Sequence, residues 1–290
     1  MSDRVVVSVV DGVADVRLNR PDKLNALDGA MFQALVETGV ELARDRGLRA
    51  AVLSGEGRAF CAGLDFASFA AMDASEAERS PGSSASVRGA NARSERSQQT
   101  APSLLSREEP DSIVNFAQRA AWVWTELPVP VIAAVHGVAY GGGLQIALAA
   151  DLRLVAPDAR LSVMEIKWGL VPDMSGTQTL RRLTRLDVAK ELTYTGRVVS
   201  GTEAVALGLA TRAVETPREA ALELAREIAG RSPDAVRAAK RLLDASGVVG
   251  LAEGLRLEEE LQRSLIGRPN QIEAVRANVE KRAPRFRDPS

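Results

Sequence analysis

Two glycine-rich segments carry the clearest chemical signal in this chain. They are Arg58-Ala59-Phe60-Cys61-Ala62-Gly63-Leu64-Asp65 and Ala134-Val135-His136-Gly137-Val138-Ala139-Tyr140-Gly141-Gly142-Gly143-Leu144. Each reads as a turn after a strand, where glycine lets the main chain bend sharply and approach another group closely. The second opens a short apolar helix, Leu144 to Leu148, whose unpaired N–H groups and dipole favour negative charge. Neither is a phosphate loop, since no Gly-Lys-Ser/Thr follows. Both also lack the spaced glycines and downstream acidic residue of a dinucleotide site. Two exposed amides converging on one oxygen make an oxyanion hole, worth about 10²–10³ in rate per donor.

Composition narrows the chemistry further. The single cysteine, Cys61, excludes an intrachain disulfide framework and a multi-cysteine zinc site, and one histidine, His136, argues against a histidine metal centre. Both read as structural residues, because Cys61 has no evident histidine to activate it. Thirty-seven Lys and Arg against thirty-eight Asp and Glu leave a formal charge of -1, which gives no footprint for nucleic acid. No stretch approaches the roughly 18–20 apolar residues of a membrane span. The N-terminus lacks the look of a signal or organellar leader, and the C-terminal Arg287-Asp288-Pro289-Ser290 matches no peroxisomal address. A cytoplasmic protein without a membrane partner is expected.

The elements that must position the glycine segments are readable in outline. Val5, Val7 and Val9, then Ala14, Val16 and Leu18, alternate around Asp11-Gly12, a hairpin signal. Asp28 is a candidate N-cap for a helix carrying Met31, Phe32, Leu35, Val36 and Leu42 as far as about Arg46. Residues 50–53 read as a buried strand, and Ile113, Phe116, Ala117, Ala120 and Trp124 as a helix face closed by Pro128 and Pro130. Residues 131–135 and 153–155 read as further strands. Ser200-Gly201-Thr202-Glu203 is a capping box with Gly208 near the helix end. Amphipathic helices are expected over 218–229, 234–245, 251–265 and 271–281. Residues 67–112 differ in composition, rich in Ala, Ser, Arg and Glu, and read as a mobile surface insertion that could serve as a lid.

With Arg20-Pro21-Asp22-Lys23-Leu24-Asn25-Ala26-Leu27 and Gly176-Thr177-Gln178, the two glycine segments resemble the enoyl-CoA hydratase/isomerase (crotonase) superfamily, in order and spacing over most of residues 1–215. The resemblance implies an α/β fold, a crotonase-like spiral of ββα units over 1–198, with a C-terminal helical trimerisation region over 199–290. It implies an acyl-CoA thioester substrate, with coenzyme A as part of the substrate and no separate cofactor or metal. It also implies a homotrimer or dimer of trimers. By the same resemblance the amides of Leu64 and Gly142 hold the thioester oxygen. Lys23, Ala26 and Leu27, with Ala62, Gly63 and Asp65, lie along the coenzyme A. The basic and aromatic stretch 281–287 is a solvated tail or a contact to coenzyme A phosphates.

Such a hole fits a chain nearly devoid of metal ligands, because two preorganised N–H groups stabilise an enolate without a metal. Members of the family differ in their acid/base set. Where hydratases carry a first glutamate this chain has Gln145; the second, Glu165, is kept. Asp173 stands where hydratases usually carry glycine, and a carboxylate there resembles the enoyl-CoA and dienoyl-CoA isomerases. Gln145 can hold a water but cannot exchange a proton with it at neutral pH. Asp173 and Glu165 can instead take a proton from one carbon and return one to another. The expected reaction is therefore isomerisation of a 3-enoyl- or dienoyl-CoA, with Asp173 as principal base and Glu165 as partner acid. Hydration of a 2-enoyl-CoA through Glu165 and non-catalytic acyl-CoA binding are the alternatives. A plain N-cap role for Asp173, at a helix starting near Met174, is the bland reading.

Overall fold

The computed structural model describes residues 3–65, 67, 104–107 and 111–289. Nearly all of the expected insertion over 67–112, with its lid, lies outside the described residues. Strands β1 (Val5–Val10) and β2 (Val13–Leu18) form the expected hairpin. Asp11 and Gly12 turn the chain at φ 50° and 76°, the left-handed pair that a tight hairpin needs. Of the alternating valines Val5 and Val16 are buried, but the rest of the β1 set is not. β1 is the sheet edge, and Val7, Val9 and Val10 are exposed.

From β2 the sheet continues in parallel through β3 (Ala50–Gly55), β4 (Val131–Val135), β6 (Leu152–Val155) and β9 (Arg212–Ala213). Strands β3 and β4 are buried throughout, as parallel strands covered on both faces should be. One face packs on helix α1 (Gly29–Arg44), α2 (Phe116–Glu126) and α3 (Gly142–Leu148), with Leu35, Leu53, Trp124 and Ile146 in one cluster. The opposite face, with Val52, Ile132 and Leu154, is covered by Ala221 and Ala225 of a later helix, Pro217–Ala229. Asp28 caps α1 as expected, accepting from the Met31 amide at 2.8 Å. α2 starts later than its periodicity implied. Asn115 and Gln118 close a reciprocal capping box, and Ile113 stays outside the helix, exposed.

A second, three-stranded sheet joins β5 (Val138–Tyr140), β7 (Arg160–Ser162) and β8 (Val199–Ser200). Helix α4 (Gly176–Leu183), α5 (Leu186–Thr195) and α6 (Gly201–Ala206) follow the second glycine region, with Ser200 capping α6 through the Glu203 amide. The remaining helices are α7 (Pro217–Ala229), α8 (Pro233–Ala245), α9 (Leu251–Leu265) and α10 (Pro269–Val279), all close to their expected limits. No break in the fold coincides with residue 198. β9 extends the main sheet and α7 covers it, so part of the 199–290 segment completes the core rather than forming a separate helical unit. The C-terminal end docks on Arg49, which binds Asp288 at 2.8 Å just before β3. That is the end of the strand opposite to the glycine segments, so the basic tail of this chain lies away from its own site.

Candidate active site

The three motifs meet at the carboxyl ends of β2, β3 and β4. A 3-10 turn at Pro21–Lys23 leads into Leu24 and Asn25, both left-handed at φ 50° and 56°. Asn25 is fully buried and ties this turn to the next segment. Its Oδ1 accepts from the Arg20 amide at 2.8 Å, and its Nδ2 donates to the carbonyls of Glu56 and Ala59 at 2.9 and 2.8 Å. Replacing Asn25 with alanine strands two carbonyls and puts a less tolerant residue at positive φ. Destabilisation of about 2–4 kcal/mol is expected, measured by urea unfolding.

The segment after β3 is then stitched on both sides. Ala62 donates to Leu24 O at 2.9 Å, Leu27 to Gly63 O at 2.8 Å and Asp65 to Leu27 O at 3.0 Å. On the other side Cys61 donates to Val138 O and Tyr140 to Cys61 O, both at 3.0 Å. Gly63, at φ 87°, permits this approach. A β-carbon on it would lie 2.6 Å from Tyr140 O, and only 3.7 Å from the Gly142 nitrogen. The Leu64 amide, between these stitches, donates to no protein acceptor among the described residues. Gly142 is the first residue of α3, where no intrahelical acceptor exists, and the Gly141 cap has no side chain to supply one. The two amides expected to hold a carbonyl oxygen are therefore neighbours, both left open by the local fold.

The expected ligand residues fall into two groups. Lys23 is exposed on its turn, and Ala26 and Ala62 are half-buried beside it. Leu27 and Asp65 have side chains engaged within the protein. Leu27 is fully buried, with its Cδ1 2.9 Å from where a β-carbon on Gly142 would be. Asp65 is paired to Arg20 at 2.8 Å, and Arg4 and Arg20 share Asp28 at 2.7 and 3.5 Å. This ion network braces the turn before Leu64 and was not evident from the sequence, although Asp28 had been read as a cap.

The carboxylates take distinct positions. Glu165 begins a 3-10 turn, Glu165–Trp168, and is buried. Its carboxylate lies against Gly141, 3.3 Å from the place of a β-carbon there. Gln145 Nε2 donates to Glu165 Oε1 at 2.6 Å, while Oε2 is buried without a hydrogen-bond partner among the described residues. Burial, reinforced by the charge of Asp173, holds the Glu165 carboxyl above the ordinary range, against the lowering effect of hydrogen bonds including that from Gln145. Asp173 keeps contact with solvent, yet the protein packed around it also raises its carboxyl. Asp173 is not a cap. α4 starts at Gly176 with Ser175 as N-cap, and the amides of Met174 and Gly176 donate to Gln145 Oε1 at 2.8 and 2.9 Å.

The remaining singular residues are structural. Cys61 donates its thiol to Asn25 O at 3.0 Å, and burial pushes it up to about 12, which leaves no thiolate at neutral pH. His136 binds Gly57 O through Nε2 at 3.0 Å. Trp124 is in the core, whereas Trp168 is exposed beside Glu165. Among the described residues no cluster of three His, Cys, Asp or Glu is placed to hold a metal, and no helix is long and apolar enough to cross a membrane.

Comparison with known proteins agrees with this arrangement. The family model described as enoyl-CoA hydratase/isomerase matches residues 13–225. The chain belongs to that family and has the crotonase fold, which makes it an acyl-CoA enzyme of that superfamily. It is 35% identical over 285 residues to the mitochondrial enoyl-CoA hydratase domain-containing protein 2 of Bos taurus, covering 95% of this chain and 84% of that protein. Mouse mitochondrial methylglutaconyl-CoA hydratase is 32% identical over 283 residues, 95% of this chain and 80% of its own length. The crystal structure of enoyl-CoA hydratase from Bacillus anthracis superposes with a TM-score of 0.82 at 30% identity, over 99% of this chain and all of the other.

Proposed function

We propose that this enzyme isomerises a 3-enoyl- or dienoyl-CoA to its conjugated isomer, with Glu165 and Asp173 moving the proton. The observation that carries this reading is the commitment of Gln145 at both ends of its amide. It is not ionisable, its oxygen is taken by two backbone amides and one of its Nε2 hydrogens by Glu165, so in this reading the site's proton carriers are the carboxylates at 165 and 173. The amides of Leu64 and Gly142 would take the thioester oxygen and hold the charge that develops there as the α-proton leaves. Lys23, Ala26, Ala62 and Gly63 line the approach for coenzyme A, with Leu27 and Asp65 supporting them from within the protein. A symmetric homotrimer or dimer of trimers belongs to the same reading.

The geometry favours the reverse of the role order expected from the sequence. Cα is bonded to the carbonyl carbon, so the carboxylate beside the oxyanion amides serves Cα, and that is Glu165. In its ionised form it takes the α-proton. Asp173, nearer solvent, delivers a proton to the distal carbon and exchanges it with water. Because burial raises Glu165, activity falls with acid at a pH above the ordinary carboxylate value of 4.5.

One observation favours a second reading. The relatives named above are called hydratases, and Glu165 alone could direct water onto a 2-enoyl-CoA. Mass spectrometry of products from a 3-enoyl-CoA and from a 2-enoyl-CoA separates the two. A conjugated product of unchanged mass supports isomerisation. Water addition to a 2-enoyl-CoA supplied directly, with the 3-enoyl-CoA left unconverted, supports hydration, and binding of both thioesters without turnover overturns both.

A further inference from the structure

We propose that Gln145 is a positioning residue of this site: one side-chain amide selects the Glu165 oxygen that exchanges a proton and holds the turn carrying Asp173 beside it. The inference rests on the acid/base reading above and on three hydrogen bonds. Gln145 Oε1 accepts from the amides of Met174 and Gly176 at 2.8 and 2.9 Å, and Nε2 donates to Glu165 Oε1 at 2.6 Å. Two backbone N–H groups on its oxygen fix the orientation of the amide, so only N–H faces Glu165. Glu165 Oε1 is thereby occupied as an acceptor, and Oε2 is left buried without a partner among the described residues, 4.0 Å from the place of a β-carbon on Gly141 where Oε1 is at 3.3 Å.

The same carbonyl replaces the missing cap of α4. Ser175, the N-cap residue, is left-handed at φ 66° and makes no side-chain cap bond. Gly176 is what lets the amide in, because a β-carbon there would lie 2.5 Å from Gln145 Oε1. Gln145 is itself buried on α3, the helix whose first amide belongs to Gly142. One rigid contact therefore ties the oxyanion helix, the buried carboxylate and the Asp173–Gly176 turn together. Among the described residues the charged group that acts on Glu165 is Asp173, which opposes its ionisation, whereas the Gln145 donor favours it.

The test titrates the Glu165 carboxyl in the full chain by infrared difference spectroscopy, its band assigned by loss in Glu165→Gln, beside the pH profile of kcat/KM. Gln145→Met keeps side-chain length and removes the amide. It is expected to move the Glu165 titration, and the acid limb of kcat/KM with it, upward by about one pH unit or more. Gln145→Glu keeps an oxygen for the two backbone N–H groups, which hold the new carboxylate ionised, and drives Glu165 further up than methionine does. It decides the matter if the methionine variant does not fold. Titration at the parental pH in the folded variants, with only the melting temperature lowered, overturns the proposal. The infrared titration needs no turnover. A parent that fails to isomerise 3-enoyl-CoA therefore sinks the functional reading while the role of Gln145 is still decided.

Discussion

Glu165→Gln is expected to lower kcat by about 10²–10⁴-fold, the usual contribution of a positioned acid or base, with KM changed little. The substitution preserves volume, and a glutamine oxygen can still accept from Gln145 Nε2, so the buried contact survives. What is lost is the ionisable carboxyl, whose Oε2 is buried without a partner among the described residues. Stability should move the other way. Burial raises the Glu165 pKa in the folded state, so folding favours the protonated form. That contribution is fully present below the unfolded carboxylate pKa and is lost as pH rises through the folded value. At pH 7–8 the glutamine variant should therefore melt at the same temperature as the parent or higher, with the gap closing towards pH 4. Calorimetry across that range checks the sign. A variant that loses activity and also melts lower at neutral pH would show a structural role for the carboxylate.

Gly63→Ala is expected to lower kcat/KM by about 10²–10³-fold, the effect of losing one oxyanion donor. Gly63 has φ 87°, where an L side chain is strained, and the added carbon would lie 2.6 Å from Tyr140 O and 3.3 Å from Tyr140 C. Neither obstacle is a flexible side-chain end, so the segment around Cys61–Asp65 must separate from the turn before Gly142. The Leu64 and Gly142 amides then no longer converge. The loss should fall mainly on kcat, because the hole acts on charge that develops in the transition state. A circular dichroism spectrum like the parent's, with kcat reduced, is the expected pair of results; unchanged kcat would show that the two amides do not share one oxygen.

The parts of the fold that were legible in the sequence are those set by local chemistry. Asp11-Gly12 made a tight hairpin, Asp28 and Ser200 capped the helices they precede, and the apolar run at 131–135 became a buried strand. Periodicity failed where it had to say what covers a face. Val5, Val7 and Val9 alternate as a core face would, but on the edge strand β1 only Val5 of the three is buried, and Val7 and Val9 are exposed. Ile113 fits the helical spacing of α2, but the Asn115–Gln118 capping box starts the helix after it.

Within the site, the glycines and carboxylates were readable as types in a pattern, and their partners were not. Gln145 meets Glu165, Met174 and Gly176 at separations of 20, 29 and 31 residues, contacts that only the folded topology creates. The sequence therefore showed that Gln145 is not an acid but not that its amide is engaged at both ends. Asp65 and Leu27 were readable only by position, and not their partners: one pairs with Arg20, and the side chain of the other packs against Gly142. The basic tail was similarly ambiguous: Arg282 pairs with Glu273 and Glu280, and Asp288 with Arg49.

The most direct measurement is exchange of the α-hydrogens of a saturated acyl-CoA with D2O, followed by mass spectrometry with catalytic amounts of enzyme. A saturated chain has no double bond to move or hydrate, so only enolate formation is read. Deuterium should enter at Cα with the parent enzyme, fall by about 10²-fold or more in Glu165→Gln, and fall again when Gly63 is replaced by alanine. Exchange undiminished in Glu165→Gln, or absent from a parent that binds the thioester, would contradict an enolate held by Leu64 and Gly142 and formed by Glu165.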